Sequence, residues 1–340
     1  MNSRLRTNSI ASALLAMNAA DALPVAIGSP TPGIFAMNEG EFASAFYDQQ
    51  LTNYLVGGWD QDDIESLLNH FAPSVRVERS FEYKEYNHKD EFYVDDGDED
   101  IRAMNADFAT AQNRLMVNTK NTVPNKGYKI VLDKDRIKAR PGYEREEIRR
   151  IARRLKRNEL RRAIALADAA AILVNLVWDN SSDPDQDISD QLLTSEESVG
   201  LRPNRVAYGS RAWSYRQSGF RGAVGDRPGA NASADWTPDR LAQFLMVDVL
   251  SFGEVRYRQT ATQLANFIGD SVYMFNASEG LSTEDPSNFK RFVSTTEGGL
   301  DYAVHVDDSH PKLIVYYVEH YSQIALTSPL GIRKATVSQS

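Results

Sequence analysis

The sequence predicts an α+β fold, built from an extended arm, a long β-hairpin, one long helix, a compact α/β region and a return strand. Three observations carry this. Residues 1–58 are rich in Ala, Asn, Gly and Pro and show no sustained apolar period before Phe42. Residues 75–84 alternate apolar and polar side chains, the period of a half-covered strand. From Pro141 onward, apolar residues recur every three or four positions over an unusually long stretch.

Composition narrows the classes. With 340 residues the chain exceeds the usual single domain, so it holds two or more domains or one body with long extensions. Its 42% hydrophobic and 25% charged content suits a chain that folds around a core, and no stretch approaches the roughly 20 apolar residues of a membrane span. A formal net charge of -9 argues against a surface that coats nucleic acid as a whole, while leaving room for a local basic face. The absence of cysteine excludes disulfides, thiolate nucleophiles and cysteine-ligated metal.

Each element follows from local signals. The arm, 1–58, carries Pro24, Pro30 and Pro32; its alanine-rich run 10–20, broken by Ser12 and Asn18, reads as an arm that orders against a neighbour rather than as a secretory leader. In 59–74, Asp60 is placed to cap a short helix with Ile64, Leu67, Leu68 and Phe71 on one face, which Pro73 stops. Val75, Val77, Phe81 and Tyr83 alternate with Arg76, Glu78, Glu82 and Lys84 and open an extended hairpin over 75–127, with its return limb at 115–123.

The segment 128–195 holds the long helix. Pro141 lies in its first turn, and Glu144, Glu146 and Glu147 face the positive end of the dipole. Ile148, Ile151, Ala152, Leu155, Ala163, Leu166, Ala170, Leu173, Val174 and Val177 carry the period to residue 177, a rod of about 50 Å at ~1.5 Å per residue; residues 180–187 read as a linker. Within 196–305 the expected pieces are a strand at 205–209, a loose loop at 219–234, a helix at 237–249 and a strand at 272–276. The last segment, 306–340, is a long strand over 312–324 followed by a tail with Ser328-Pro329-Leu330-Gly331.

Three stretches stand out: Tyr128-Lys129-Ile130-Val131-Leu132-Asp133 leaving the hairpin, Arg140-Pro141-Gly142-Tyr143 before the helix, and Leu201-Arg202-Pro203-Asn204-Arg205-Val206 before Ser210-Arg211-Ala212-Trp213, the last read as strand and turn. In these stretches and in its order of elements the chain resembles the Hong Kong 97-like major capsid proteins of tailed bacteriophages. The resemblance covers most of residues 60–335. It implies an N-terminal arm, an extended loop, a peripheral domain at 128–195 with a spine helix, completed by 306–340, and an axial domain at 196–305. The implied role is a non-enzymatic virion shell that self-assembles through pentamers and hexamers around double-stranded DNA, in the cytoplasm of a bacterial host. The implied partners are further copies of itself, scaffold, portal and decoration proteins, and packaged DNA bound without sequence specificity; no cofactor and no membrane are implied.

Charge is distributed unevenly. Residues 82–107 hold ten acidic and three basic side chains, and residues 144–162 hold nine basic and four acidic. Asp95, Asp96, Asp98, Glu99 and Asp100 on the hairpin and Arg149, Arg153, Arg154, Arg157 and Arg161 on the helix are therefore candidates for inter-subunit contact, where complementary patches fix register. Two other readings stay open: both segments are solvated faces, or the arginines face packaged DNA.

Catalytic signatures are weak. Asp96, Asp98 and Asp100 match the first ligands of a calcium loop and Asp107 the twelfth, but Ile101 stands where the turn needs glycine. His70, His88, His305, His310 and His320 show no metal-ligand spacing, and no nucleophile elbow, dinucleotide fingerprint or phosphate loop occurs. Trp213, Trp236 and the tyrosines of 312–324 read as core or subunit contacts. An encapsulin-like protein compartment is the first alternative, and a metal-dependent hydrolase using residues 95–100 a remote one.

Overall fold

The computed structural model describes residues 46–57, 63–86, 116–222, 233–260, 262–278, 287–296 and 299–339. Asp95, Asp96, Asp98, Glu99 and Asp100, Asp60 and residues 1–45 of the expected arm lie outside them. The end of that arm is helical: α1 (Gln49–Gly57) starts where the Asp48 carboxylate accepts from Leu51 N at 2.9 Å. Its buried Thr52 hydroxyl accepts from Val304 N at 3.1 Å, docking the helix on a strand.

Next, α2 (Asp63–Phe71) buries Ile64, Leu67, Leu68 and Phe71, the face expected from sequence, and ends before Pro73. The period-two stretch is two strands. β1 (Ser74–Arg76) runs parallel to β11 (Phe289–Ser294), whereas β2 (Ser80–Tyr86) pairs antiparallel with β3 (Met116–Thr122) as the expected hairpin. Val75 and Tyr83 nevertheless share one cover, packing with Val77 and Phe81 on Phe292.

A five-stranded sheet is organised by β13 (Leu313–Leu326). β4 (Asn125–Asp133) pairs with residues 313–321, β11 with 321–326, and β12 (Tyr302–Asp307) with 315–320. After the short α3 (Lys134–Ala139), the long helix α4 (Tyr143–Ala170) crosses this sheet, with Ile148, Ala152 and Leu155 against Leu132, Val304, Tyr316 and Val318.

The expectation of an unbroken helix to residue 177 is corrected. α4 stops at Ala170, about 42 Å for 28 residues, and Ala171 turns to extended backbone at φ -73° and ψ 142°. Residues 172–177 are β5 (Ile172–Val177), parallel to β14 (Arg333–Ser338). The run Ile-Leu-Val-Asn-Leu-Val fits a helical period and a strand equally well, and available backbone partners on β14 decide it.

A second sheet has the order β5-β14-β10-β6-β7, with β6 (Arg205–Gly209), β7 (Val249–Gly253) and β10 (Ser271–Phe275). β6 and β10 are buried on both faces, and alternation sends their residues to two cores. Val206, Tyr208, Val272 and Met274 meet the helices α5 (Pro184–Val199), α6 (Ser210–Gly222) and α7 (Pro238–Leu245). Ala207, Tyr273 and Phe275 meet α2 and the C-terminal half of α4 through Leu160, Ala163, Ile164 and Ala167. Strands β8 (Arg256–Arg258) and β9 (Leu264–Asn266) form a separate ribbon.

Several boundaries move. The expected linker contains the first turn of α5, whose N-terminus Asp183 caps with Pro184 at its first position and whose end Gly200 closes at φ 82°. The strand expected within 201–213 is β6, whereas residues 210–213 open α6 in place of a turn, because Arg211 N and Ala212 N bond Gly269 O, and Ala212, Arg216, Gly219 and Phe220 share its buried face. That helix also claims 219–222 of the expected loop; 223–232 lie outside the described residues. α7 ends at Leu245, and Val249 already belongs to β7. The strands also divide differently from the expected segments: β11 and β12, from 196–305, join β13, while β14, from the tail, and β5 join the second sheet.

Candidate functional site

Helix α4 passes from one core to the other, and charge is buried at the crossing. Ile148, Ala152 and Leu155 pack on the first sheet and Leu160, Ala163, Ile164 and Ala167 on the second; between them Lys156 is 0% and Glu159 1% exposed. Helical spacing places Lys156 four residues after Ala152 and Glu159 four after Leu155, squarely on the apolar stripe. Polar side chains on such a stripe are tolerated only with partners.

The partners come from the surrounding elements. Arg291 on β11 places Nη2 2.5 Å from Glu65 Oε1 on α2 and Nη1 3.7 Å from Glu159 Oε2. Lys156 Nζ lies 3.2 Å from Glu65 Oε2, and Lys126 Nζ on β4 lies 3.3 Å from Glu159 Oε1 and 3.1 Å from Ser322 Oγ. Ser322 Oγ also donates to Glu159 Oε1. His320 stacks on Tyr302, with rings 4.7 Å apart and 4° from parallel, and its Nδ1 is 3.9 Å from Glu159. A cavity of about 40 Å³ is lined by Glu65, Glu159, Arg291, Asp301, Tyr302 and His320, among others.

Electrostatics follow from burial opposed by counter-charge. Burial would raise the Glu159 carboxyl, but His320, Arg291 and Lys126 together with the Ser322 hydroxyl hold it below the ordinary value. Glu65 is likewise lowered because Arg291 and Lys156 outweigh burial. Burial lowers His320 to about 4, so its imidazole is neutral at neutral pH. Both carboxylates are engaged by cations, so the cluster is a bolt joining α2, α4 and the first sheet rather than a poised acid or base. Among the described residues no group of three or more His, Cys, Asp or Glu side chains is arranged to hold a metal ion.

Two further contacts tie the second sheet to its helices. Arg205 Nη1 donates to Asn69 O at 3.0 Å and His70 O at 2.9 Å, placing a cation on the C-terminal carbonyls of α2. Asp185 and Arg216 form a buried two-pronged pair at 2.6 and 2.8 Å between α5 and α6, with the guanidinium 4.7 Å from the Trp213 ring.

The arginines named from sequence lie outside the buried stripe of α4. Arg149 is half-buried over the Tyr54 ring at 5.0 Å, and Arg154 covers Tyr128 at 4.7 Å. Arg153 and Arg161 are exposed and Arg157 is half-buried. Tyr54 and Tyr128 therefore occupy part of the basic face within the chain itself. Sequence reasoning passed over Lys156, Glu159 and Arg291; the charged residues on the apolar stripe between Leu155 and Leu160 were the available signal for the helical pair.

No family model matches the chain, and no curated protein matches it. Among solved structures it is similar to a phage-related protein from Bordetella bronchiseptica RB50, at 17% identity over 86% of this chain and 97% of that one, with a TM-score of 0.61. It is also similar to a subunit of the mature capsid of bacteriophage PhiM1 (9% identity, 80% and 86% covered, TM-score 0.47) and to a virus-like particle from Pyrococcus furiosus (12%, 86% and 99%, 0.44). The Bordetella likeness shows a shared mixed helix-and-strand fold, and it bears out at that level the phage resemblance carried by the sequence.

Proposed function

We propose that this chain is the major shell subunit of a tailed-phage capsid, built on the Hong Kong 97-like plan and assembling through pentamers and hexamers around double-stranded DNA. The observation that carries the reading is the fold shared with the Bordetella phage-related protein over 97% of that chain. The sequence stretches quoted above point the same way. Buried charge between two cores suits a subunit that must hold its shape under assembly load, and the role is structural rather than catalytic.

On this reading Asp95, Asp96, Asp98, Glu99 and Asp100 of one subunit meet the basic surface that Arg149, Arg153, Arg154, Arg157 and Arg161 give a neighbour. Exposed pairs are worth about 0–1 kcal/mol each, so repetition over a shell supplies the strength. Scaffold, portal and decoration proteins are the further partners, and the site of assembly is the host cytoplasm. The test is expression of the chain alone and with its genomic neighbours, followed by size-exclusion chromatography and negative-stain electron microscopy. Closed shells or rings of five and six subunits are expected. A monodisperse monomer under every condition overturns the reading, and protein cargo instead of nuclease-protected DNA moves it to a cellular compartment.

A further inference from the structure

The ladder along β13 changes partner beside the buried charges. β11 ends with Ser294 opposite Tyr321, and β12 begins with Tyr302 opposite His320. Between those strands the chain makes a tight excursion, with Thr296 N and Oγ1 donating to Leu300 O at 2.8 and 2.7 Å and Gly299 at φ 75°. The cavity of about 40 Å³ lies at this junction, walled by Arg291 and Val293 of β11, His320 of β13 and the carboxylates of Glu65, Glu159 and Asp301, among others.

Two polar atoms on residues that wall the cavity have no hydrogen-bond partner among the described residues: Arg291 Nε and His320 Nε2. Arg291 is 6% and His320 2% exposed, so bulk solvent does not reach them, and leaving either unmet is costly. They ask for opposite things. Arg291 Nε can only donate. On His320, Nδ1 lies 3.9 Å from Glu159 Oε1, and a carboxylate beside one ring nitrogen draws the single proton of a neutral imidazole to that side, leaving Nε2 as an acceptor. Stacking on Tyr302, 4.7 Å away and 4° from parallel, holds the ring in this plane.

We infer that the cavity is a binding site for an ordered water molecule, which accepts from Arg291 Nε and donates to His320 Nε2, joining β11 to β13 where the ladder changes partner. Water does both at once, whereas a simple ion does not. A halide only accepts, and here it would face three carboxylates. A metal ion would face the Arg291 guanidinium, and among the described residues no group of three or more acidic or histidine ligands is arranged to hold one. The volume has room for a water, which needs at least about 10–15 Å³, and not for an organic ligand. The site goes beyond the shell reading and does not depend on it.

The test combines a nitrogen NMR spectrum of the full chain with labelled histidine and a density map of it fine enough to show solvent, both at neutral pH. His320→Phe, which keeps a ring on Tyr302, identifies the His320 signal. The expected results are the Nδ1–H tautomer of His320 and a solvent peak about 2.6–3.2 Å from both atoms, lost in His320→Phe. Val293→Ile adds a methylene to the cavity wall; by displacing the water it is expected to lower the urea midpoint by about 0.3 M or more, although it buries more apolar surface. A higher midpoint marks a dry cavity and overturns the inference, as does a map with no peak between the two atoms. The Nε2–H tautomer, or a peak that exchanges for bromide, overturns it as well by making the ligand an anion. Where Val293→Ile does not fold, the spectrum and map of the unaltered chain decide.

Discussion

Arg291 Nη2 on β11 lies 2.5 Å from Glu65 Oε1 on α2, a partly buried ion pair that joins a strand to a helix 226 positions away in sequence. Arg291 also faces Glu159, so one guanidinium balances carboxylates from two helices. Removing it leaves two carboxylates at the cluster with only lysines to meet them. Breaking a buried pair from one side costs about 3–5 kcal/mol, a large share of ordinary domain stability. Arg291→Ala should therefore lower the urea midpoint of the isolated subunit severely, and Glu159→Gln, which keeps the shape and the Ser322 contact, should cost less. A loss under about 0.5 kcal/mol for Arg291→Ala would show that the cluster carries no load.

Acid should destabilise the subunit before its carboxylates titrate. Burial lowers His320 to about 4 and His70 to about 3. Both folded values lie below the unfolded value of about 6.5, so between pH 6.5 and 4 the unfolded chain binds protons that the folded chain refuses. Stability then falls with falling pH by about 1.4 kcal/mol per unit for each histidine. Above pH 6.5 neither contributes a slope. Below the ordinary carboxylate range the lowered Glu65 and Glu159 add to the loss. Urea midpoints measured from pH 7.5 to 4 check this, and a flat profile across that window would contradict it.

The turn between β6 and α6 depends on Gly209. A Cβ there would sit 2.3 Å from Gly269 O, which accepts the Arg211 and Ala212 amides that start the helix. Backbone on both sides leaves no flexible side chain to give way. Gly209→Ala should cost about 2 kcal/mol or more by thermal or urea unfolding, in the range of overpacked cores. Gly57→Ala, which meets nothing within 4 Å, is the control and should be nearly neutral.

Reversing Asp95, Asp96, Asp98 and Asp100 to lysine should reduce shell yield while leaving subunit unfolding unchanged. Reversing Arg153, Arg157 and Arg161 to glutamate in the same chain should restore part of that yield. The effect should weaken as salt rises from 0.05 to 0.5 M, roughly as the Debye length shortens. Shell yield that does not respond to the reversal would remove the charge-pairing proposal.

Much of the fold was legible because local rules agreed with tertiary ones. Asp63 and Glu65 in its first turn, its four-residue apolar face and Pro73 set α2. Alternation set the faces of residues 75–83, and the β-branched and aromatic run set β13. The helix cap of α5 was equally local, Asp183-Pro184 at one end and Gly200 at the other, and was passed over in favour of a linker.

What the sequence determined by itself was the supply of elements: periods, caps and turn residues act over a few positions, so α2, β13, the hairpin limbs and the start of α4 could be read directly. Only tertiary structure decided how they combine. Residues 172–177 became a strand because β14, some 160 residues later, offers a parallel backbone ladder. Glu65, Lys126, Lys156, Glu159, Arg291 and His320 became one cluster because five elements converge where α4 leaves one core for the other. A buried charge is stable only when every partner arrives together, and no local pattern records where distant partners will meet.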